Sequence, residues 1–502
     1  MKKFLSLLLA GLMLFPLASC GETSDDPADT RKPGETITEG ETGDPNYTCN
    51  LPNDLDFENT EVTFLYVNHD GREDELYSEK LGQGTILDAV YERNLAVESQ
   101  LGVKLAFQDV IDDGTALGKV GTMVSAGDTS IDIFSYGSFM AIPSCLSGYF
   151  LDLNHLYYVD TSKHYWTQDY NEIATFSEDN LQFLATSSAA ISVFRLSFMT
   201  IFNRDLLEEW KLPNIYDLVD NGEWTLEKQY EITKDVYADL DGNGFRGQLD
   251  LFGHLTGNNK NMDCYPAAGN VKLIIRDETG DWIFNKDSLE DLVSLAERVN
   301  TLMHSPGTYA HGNGDDIGSY YTIEKFSDES ALTATTQFLS IEEYIGELAD
   351  IQYGIAPIPK LSVEQEKYRT YVNDQVTGFG VSSVIADEER QDIVGAVMED
   401  LAYRSYQIVR PAYYDSTLSL RFMQDEHSSD ILDLMFETVA FDYGYYHPGG
   451  MGGIKGDMRS MLPSPNPAPA SRFKLWERKL QTELKSENEA IDRLVEQWSD
   501  AD

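Results

Sequence analysis

The chain has 502 residues, with 37 Lys and Arg against 85 Asp and Glu, a formal charge of −48. So acidic a surface repels phosphate backbones and anionic headgroups, which counts against nucleic-acid binding and against a basic membrane-docking face. An apolar fraction of 42 % with 28 Tyr, 23 Phe and 6 Trp supplies a sizeable core and excludes collagen-like repeats and wholesale disorder. The length exceeds what one core usually serves, so more than one lobe is expected.

Met1 is followed by Lys2 and Lys3 and then an apolar run from Phe4 to Leu17. A charged start and an apolar run shorter than the ~20 residues of a membrane span describe a secretory signal peptide. The run ends in Leu17-Ala18-Ser19-Cys20, which resembles the bacterial lipobox. That resemblance implies cleavage before Cys20, lipidation of its thiol, and an extracytoplasmic protein held at the membrane by lipid alone. From Gly21 to about Asn53 the chain is rich in Gly, Thr, Pro, Asp and Glu, and reads as an acidic, disordered tether. Only Cys49, Cys145 and Cys264 remain beyond Cys20, and their spacing suits no zinc module.

The folded part begins at Val62–Val67, a β-rich run that stops at Asn68-His69-Asp70-Gly71. Ile86, Val90, Val97 and Leu101 share one helical face that Gly102 ends. Val103, Leu105 and Phe107 alternate as a strand, a helix follows around Leu117–Val124, and Ile131–Phe134 is the next strand. This strand–helix rhythm predicts an open parallel sheet, with ligand at the carboxyl ends of its strands. The loops at those ends are Asn68–Gly71 and Ser135–Phe139. Further on, Phe198–Phe202 is a strand, Leu206–Trp210 a helix, and Trp224-Thr225 opens a helix running to about Ala238. Ile351–Ile358 and Gly378–Ile385 are later apolar runs. Asp387-Glu388-Glu389 starts a helix carrying Ile393, Val397 and Leu401, the acids suiting its amino-terminal dipole. Pro463, Pro465, Pro467 and Pro469 precede a last amphipathic helix with Leu475, Leu480 and Leu484. The fold class is α/β in two lobes.

Several stretches in order resemble the extracellular solute-binding lipoproteins of bacterial ABC importers, sugar-binding type. They are the lipobox, Tyr91-Glu92-Arg93-Asn94, Leu101-Gly102-Val103, Asp132-Ile133-Phe134, Gly148–Leu153, Tyr165-Trp166, Phe202–Leu207, Gly222–Thr225 and Tyr353–Pro359. The resemblance implies a two-lobed, periplasmic-binding-protein-like fold with a ligand cleft between discontinuous lobes. The expected crossings are near Ala185–Ala190, Ala331–Gln337 and Gly378–Ser382. The corresponding division is a signal peptide over 1–19 and a tether over 20–57. An N-lobe follows from 58–187 plus 337–380, and a C-lobe from 188–336 plus 381–502. It also implies a monomer whose partners are a small carbohydrate and the permease subunits of an importer, with no catalytic step and no required cofactor.

Two site expectations follow. Asp239, Asp241 and Asn243 stand at positions one, three and five of an EF-hand-like loop, with Gly244 at the turn, the Phe245 carbonyl at seven and Asp250 at twelve. Hard oxygen donors in that spacing suit a structural Ca²⁺, although position twelve is Asp rather than Glu and position nine is Gly247. For a sugar, aromatic platforms and hydroxyl partners are needed. Tyr136 and Phe139 sit at one strand's carboxyl end, and Asn68, His69 and Asp70 at another. Arg195 and Phe198 lie past the first expected crossing and Phe338 past the second. Asn373, Tyr413 and Tyr414 complete the candidate set. A peptide receptor of the same fold, or a surface enzyme acting on polysaccharide, are the alternatives. No His-Glu-x-x-His, Gly-x-x-x-x-Gly-Lys-Ser/Thr or Gly-x-Ser-x-Gly motif occurs.

Overall fold

The computed structural model describes residues 47–177, 181–311, 318–418, 426–447 and 451–499. Cys20, the signal segment and most of the tether lie outside them. In chain order the main elements begin with β1 (Thr60–Val67), α1 (Thr85–Leu101), β2 (Val103–Val110), α2 (Asp113–Ala126), β3 (Ile133–Gly137) and α3 (Ser138–Cys145). Next come β4 (Phe198–Asn203), β5 (Leu251–Gly257), β6 (Thr308–His311), β7 (Ala331–Gln337), α4 (Phe338–Glu343), β8 (Tyr353–Pro357) and β9 (Thr377–Val381). The chain ends in α5 (Glu388–Arg404), α6 (Arg410–Leu418), α7 (Glu426–Glu437), α8 (Ile454–Met461) and α9 (Pro469–Ser499).

Two sheets organise the chain. The first has the order β9-β3-β1-β2, with β1 parallel to both β2 and β3 (Phe64 beside Phe107 and Ile133) and β9 antiparallel to β3. The second has the order β6-β5-β7-β4-β8, with β5, β6 and β7 parallel and β4 running against both β7 and β8. Local signals explain where the elements stop and start. Gly102 ends α1 at φ 60°, a left-handed conformation that costs glycine little. The Asp112 carboxylate caps α2 by accepting from the Thr115 N–H at 2.7 Å, and Asp387 caps α5 from Arg390 at 2.9 Å.

Each sheet owns a core. Phe64, Ile133, Val97, Val381 and Val397 belong to the first, which extends to Trp476 and Leu480 of α9. Ile201, Phe202, Leu255, Ile355, Trp224 and Leu432 belong to the second. Alternating β-strand side chains and one-sided helices bury these faces.

The strand pairings correct the expected crossings. Ala331–Gln337 is β7, hydrogen-bonded on both sides within the second sheet, so the chain does not change lobes there. Gly378–Val381 is already part of the first sheet, and the crossing lies upstream, between Pro357 and Thr377. The expected N-lobe piece 337–380 therefore splits, because β8 pairs with β4 in the second sheet. Likewise α5, expected in the C-lobe, contributes Ile393, Val394, Val397 and Leu401 to the first core. From α5 the chain continues through a π-helical turn, Ser405–Val409, into α6, whose Tyr413 joins the second core. The helix expected to run from Trp224 to Ala238 ends at Thr233, and Tyr237-Ala238 pairs as a short strand with β5.

Candidate ligand-binding groove

The carboxyl ends of β1 and β3 are bound to one another by charge. Arg72 is fully buried and grips Asp113 with two hydrogen bonds, Nη1 to Oδ1 at 2.6 Å and Nη2 to Oδ2 at 3.0 Å, while its Nε donates to the His69 carbonyl. The same Asp113 oxygen accepts the Gly137 N–H at 2.6 Å. Three segments at the sheet's carboxyl edge (69–72, the start of α2 and the end of β3) thus share one ion pair.

Two connecting segments leave this edge for the second sheet. Glu75, buried, accepts the Ser192 N–H at 2.5 Å and the Thr377 hydroxyl at 2.6 Å, so one carboxylate holds both segments. Burial raises its pKa, and the hydrogen bonds from Ser192 and Thr377 work against that rise. The segments touch each other where Ser197 bridges Val372 and the Asn373 N–H donates to the Leu196 carbonyl at 3.0 Å. On the second sheet, the carboxyl end of β7 reaches the same place. Gln337 Nε2 donates to the Leu196 carbonyl at 3.1 Å, and Gly71 approaches so closely that a Cβ would lie 2.9 Å from Leu196 and 3.0 Å from Leu339. The φ of +82° at Gly71 also excludes most side chains. The strand ends of both sheets therefore converge on the paired connections.

Among the expected ligand residues, Asn68, His69 and Asp70 are solvent-exposed on this rim. His69 Nδ1 is 2.8 Å from Asp70 Oδ1, and the other Asp70 oxygen accepts from Gln375 Nε2 at 3.3 Å. Phe139 is half-buried in the first turn of α3. Arg195 pairs with Glu342 at 2.9 Å and donates to the Glu73 carbonyl, linking the first connection to α4.

Four aromatic expectations need correction. Tyr136 points into the first core, 1 % exposed, its hydroxyl 2.7 Å from Ser144 Oγ. Phe198 is buried and stacked on Tyr371 at 5.7 Å. Phe338 is buried against Phe436, and Tyr413 stacks on Phe194 at 4.9 Å while donating to Glu342. Each occupies a strand end or a helix turn where an inward-facing ring completes the core rather than a platform. Tyr414 is half-buried with its hydroxyl 3.3 Å from Arg410 Nη2, and Asn373 is buried, accepting the Gln375 N–H at 3.0 Å.

Sequence reasoning missed Gln337, Leu339 and Gln375 on the rim, and the ion group of buried Asp263, Asp374 and Lys455 with the partly exposed Arg459. It also missed Phe441-Asp442-Tyr443-Gly444-Tyr445-Tyr446, a dense aromatic run that was visible as composition. Its rings pack into the first core: Tyr443 stacks on Trp282 at 3.8 Å and meets Phe176 edge-on, and Phe441 meets Tyr170.

The Asp239 loop draws three carboxylates together. One carboxylate oxygen each from Asp239, Asp241 and Asp250 lies within 4.8 Å of the others. Asp239 also accepts the Gly242 and Gly244 N–H groups, and Asp250 those of Leu240 and Gly247, with the Tyr237 hydroxyl at 3.1 Å. The Asn243 side chain folds over Asp241 at 2.7 Å, and the Phe245 ring is exposed. The described thiols Cys49, Cys145 and Cys264 are free. A separate groove of about 750 Å³ runs between the Trp282–Asp287 stretch and α9, away from the strand ends.

No family model matches the chain, and no curated protein matches it in sequence. Solved structures do match its fold. A sugar transporter from Rhizobium etli, in an open conformation, is 14 % identical with a TM-score of 0.56, over 84 % of this chain and 99 % of its own. A cyclo/maltodextrin-binding protein complexed with maltotetraose is 12 % identical with a TM-score of 0.53, over 84 % and 97 %. An ABC substrate-binding protein from Listeria monocytogenes in complex with cycloalternan is 16 % identical with a TM-score of 0.50, over 85 % and 99 %. The chain thus has the two-lobed α/β fold of the solute-binding proteins that serve ABC importers.

Proposed function

We propose that this chain is a receptor that captures a carbohydrate, an oligosaccharide, in the groove between its lobes and delivers it to a separate permease. The observation that carries this reading is the convergence of both sheets' strand ends on one pair of connecting segments. Solved proteins of the same fold that hold maltotetraose and cycloalternan support the ligand class. Capture works by hinge closure: a ligand touching both lobes favours the closed form by its difference in affinity for the two forms. Moving the equilibrium from mostly open to mostly closed takes about 5.5 kcal/mol of that difference. No covalent step is needed. No helix among the described residues is long and apolar enough to cross a membrane, and attachment through a lipid on Cys20 belongs to the proposal.

The rim carries Asp70, Glu73 and Asp74, and their negative field favours a neutral sugar over an acidic one. A thermal-unfolding screen tests this reading. Neutral oligosaccharides are expected to raise Tm, since a ligand at a hundred times its Kd stabilises the bound form by about 2.7 kcal/mol. Uronic-acid oligomers should do less. Silence across the sugars together with a response to peptides would replace the carbohydrate by a peptide. Turnover of a glycan would make the chain an enzyme.

A structural calcium in the Asp239 loop is part of the same proposal. Three carboxylates in contact range are the donor type a hard cation takes, and Asp239, Asp241, Asn243, the Phe245 carbonyl and Asp250 would hold it. Adding calcium to chelator-treated protein is expected to raise Tm, and D241N should abolish the rise. A Tm indifferent to both chelator and calcium would remove the ion.

A further inference from the structure

We propose that Asp374 is a positioning residue for capture, an interlobe latch whose carboxylate changes partners as the lobes open and close. The proposal rests on the hinge-closure reading above. Asp374 lies in the second connecting segment and faces both lobes at once. Its carbonyl accepts the Phe139 N–H at 2.9 Å, from the first turn of α3 at the edge of the first sheet. Its carboxylate accepts Lys455 Nζ of α8 at 2.5 Å. Lys455 is also 3.7 Å from Asp263, which follows β5 of the second sheet and is gripped by Arg459, one turn further along α8, at 2.8 and 2.5 Å. One path from the first sheet's edge to Asp263, beyond β5, therefore runs through Asp374.

Two features mark this group as more than packing. Its charges balance, two carboxylates against two cations, with Asp263, Lys455 and Asp374 all buried. Such an arrangement tolerates rearrangement as long as no charge is left alone. Beside it lie surplus donors: the hydroxyls of Tyr371 and Tyr445 are buried and meet no hydrogen-bond partner among the described residues. The two rings pack edge-on at 6.2 Å, and both feel the charge of Asp263, Tyr371 that of Asp374 as well. An unmet buried hydroxyl is costly, and a phenol can take over a carboxylate that a lysine releases. The group thus has uncommitted buried donors in its neighbourhood, which a two-position coupling element could use.

Small-angle scattering of the full chain, without ligand and with maltotetraose, tests the latch. The charge-neutral double variant D374N/K455Q leaves no lone buried ion and is expected to keep its circular dichroism. It should show a larger radius of gyration than the wild type in at least one of the two states and bind maltotetraose about tenfold more weakly. Y371F/Y445F removes the alternative donors and should shift the chain toward the compact form. Folded variants with unchanged radii in both states would overturn the latch and leave the ion group as packing alone. If maltotetraose fails to bind the wild type, the ligand-free radii still decide the latch, whereas that failure bears on the sugar reading.

Discussion

Replacing Arg72 by methionine is expected to cost about 3–5 kcal/mol of stability and to disorganise the groove's N-lobe edge. The guanidinium is fully buried, its partner Asp113 nearly so, and the pair is held by two hydrogen bonds. Removing the cation leaves a carboxylate in the interior with only the Gly137 N–H to satisfy it. Methionine fills much of the space, so the loss reports charge and hydrogen bonding more than a cavity. Lysine should recover only part of it, because one ammonium cannot reach both Asp113 oxygens and the His69 carbonyl in the geometry of the guanidinium fork. Urea unfolding of R72M, R72K and wild type checks the order. An R72M midpoint equal to that of wild type would show that the pair contributes nothing.

The second large effect is a loss of stability as pH rises from about 4 to 7. Glu399 of α5 is buried against Tyr165 and Trp166, and desolvation pushes its pKa up to about 7 despite hydrogen bonds from the Tyr165 hydroxyl, the Trp166 indole at 3.1 Å and the Asp160 N–H. Its neighbour Asp400 is pushed up to about 6 by burial, against the pull of Arg404. Both groups hold protons in the folded chain that the unfolded chain has already released. Their contribution is therefore complete below the unfolded values near 4, and it is lost as pH climbs through 6 and 7. At about 1.4 kcal/mol per pKa unit, the pair is worth on the order of 5 kcal/mol across that window. The self-repulsion of a chain at −48 acts in the same direction. E399Q, which does not titrate, should be less destabilising at pH 8 than at pH 5. A deficit independent of pH would show that Glu399 is charged throughout.

Much of the architecture was legible because one-sided burial writes itself into spacing. The face Ile86–Leu101, the Gly102 stop, the run Val62–Val67 and the acids before Ile393 each correspond to an observed element. The lobe boundaries were harder. A central strand such as Ala331–Gln337 and a connecting strand are both buried and short, and only the pairing partners distinguish them. The site was the least legible part. Aromatic residues at strand ends serve the core or a ligand equally well by type, and Tyr136, Phe198, Phe338 and Tyr413 went to the core. Asn68, His69 and Asp70 are exposed in the loop after β1, a position that follows directly from where the strand ends. The ion group of Asp263, Asp374, Lys455 and Arg459 joins residues nearly two hundred positions apart, and no local pattern announces such a meeting.

The most direct test of the account is small-angle scattering of the chain during titration with neutral oligosaccharides, followed in parallel by thermal unfolding. One of them is expected to shrink the radius of gyration and raise Tm over the same concentration range, as closure of the two lobes requires. A saccharide that binds and stabilises the chain while leaving the radius unchanged would contradict it.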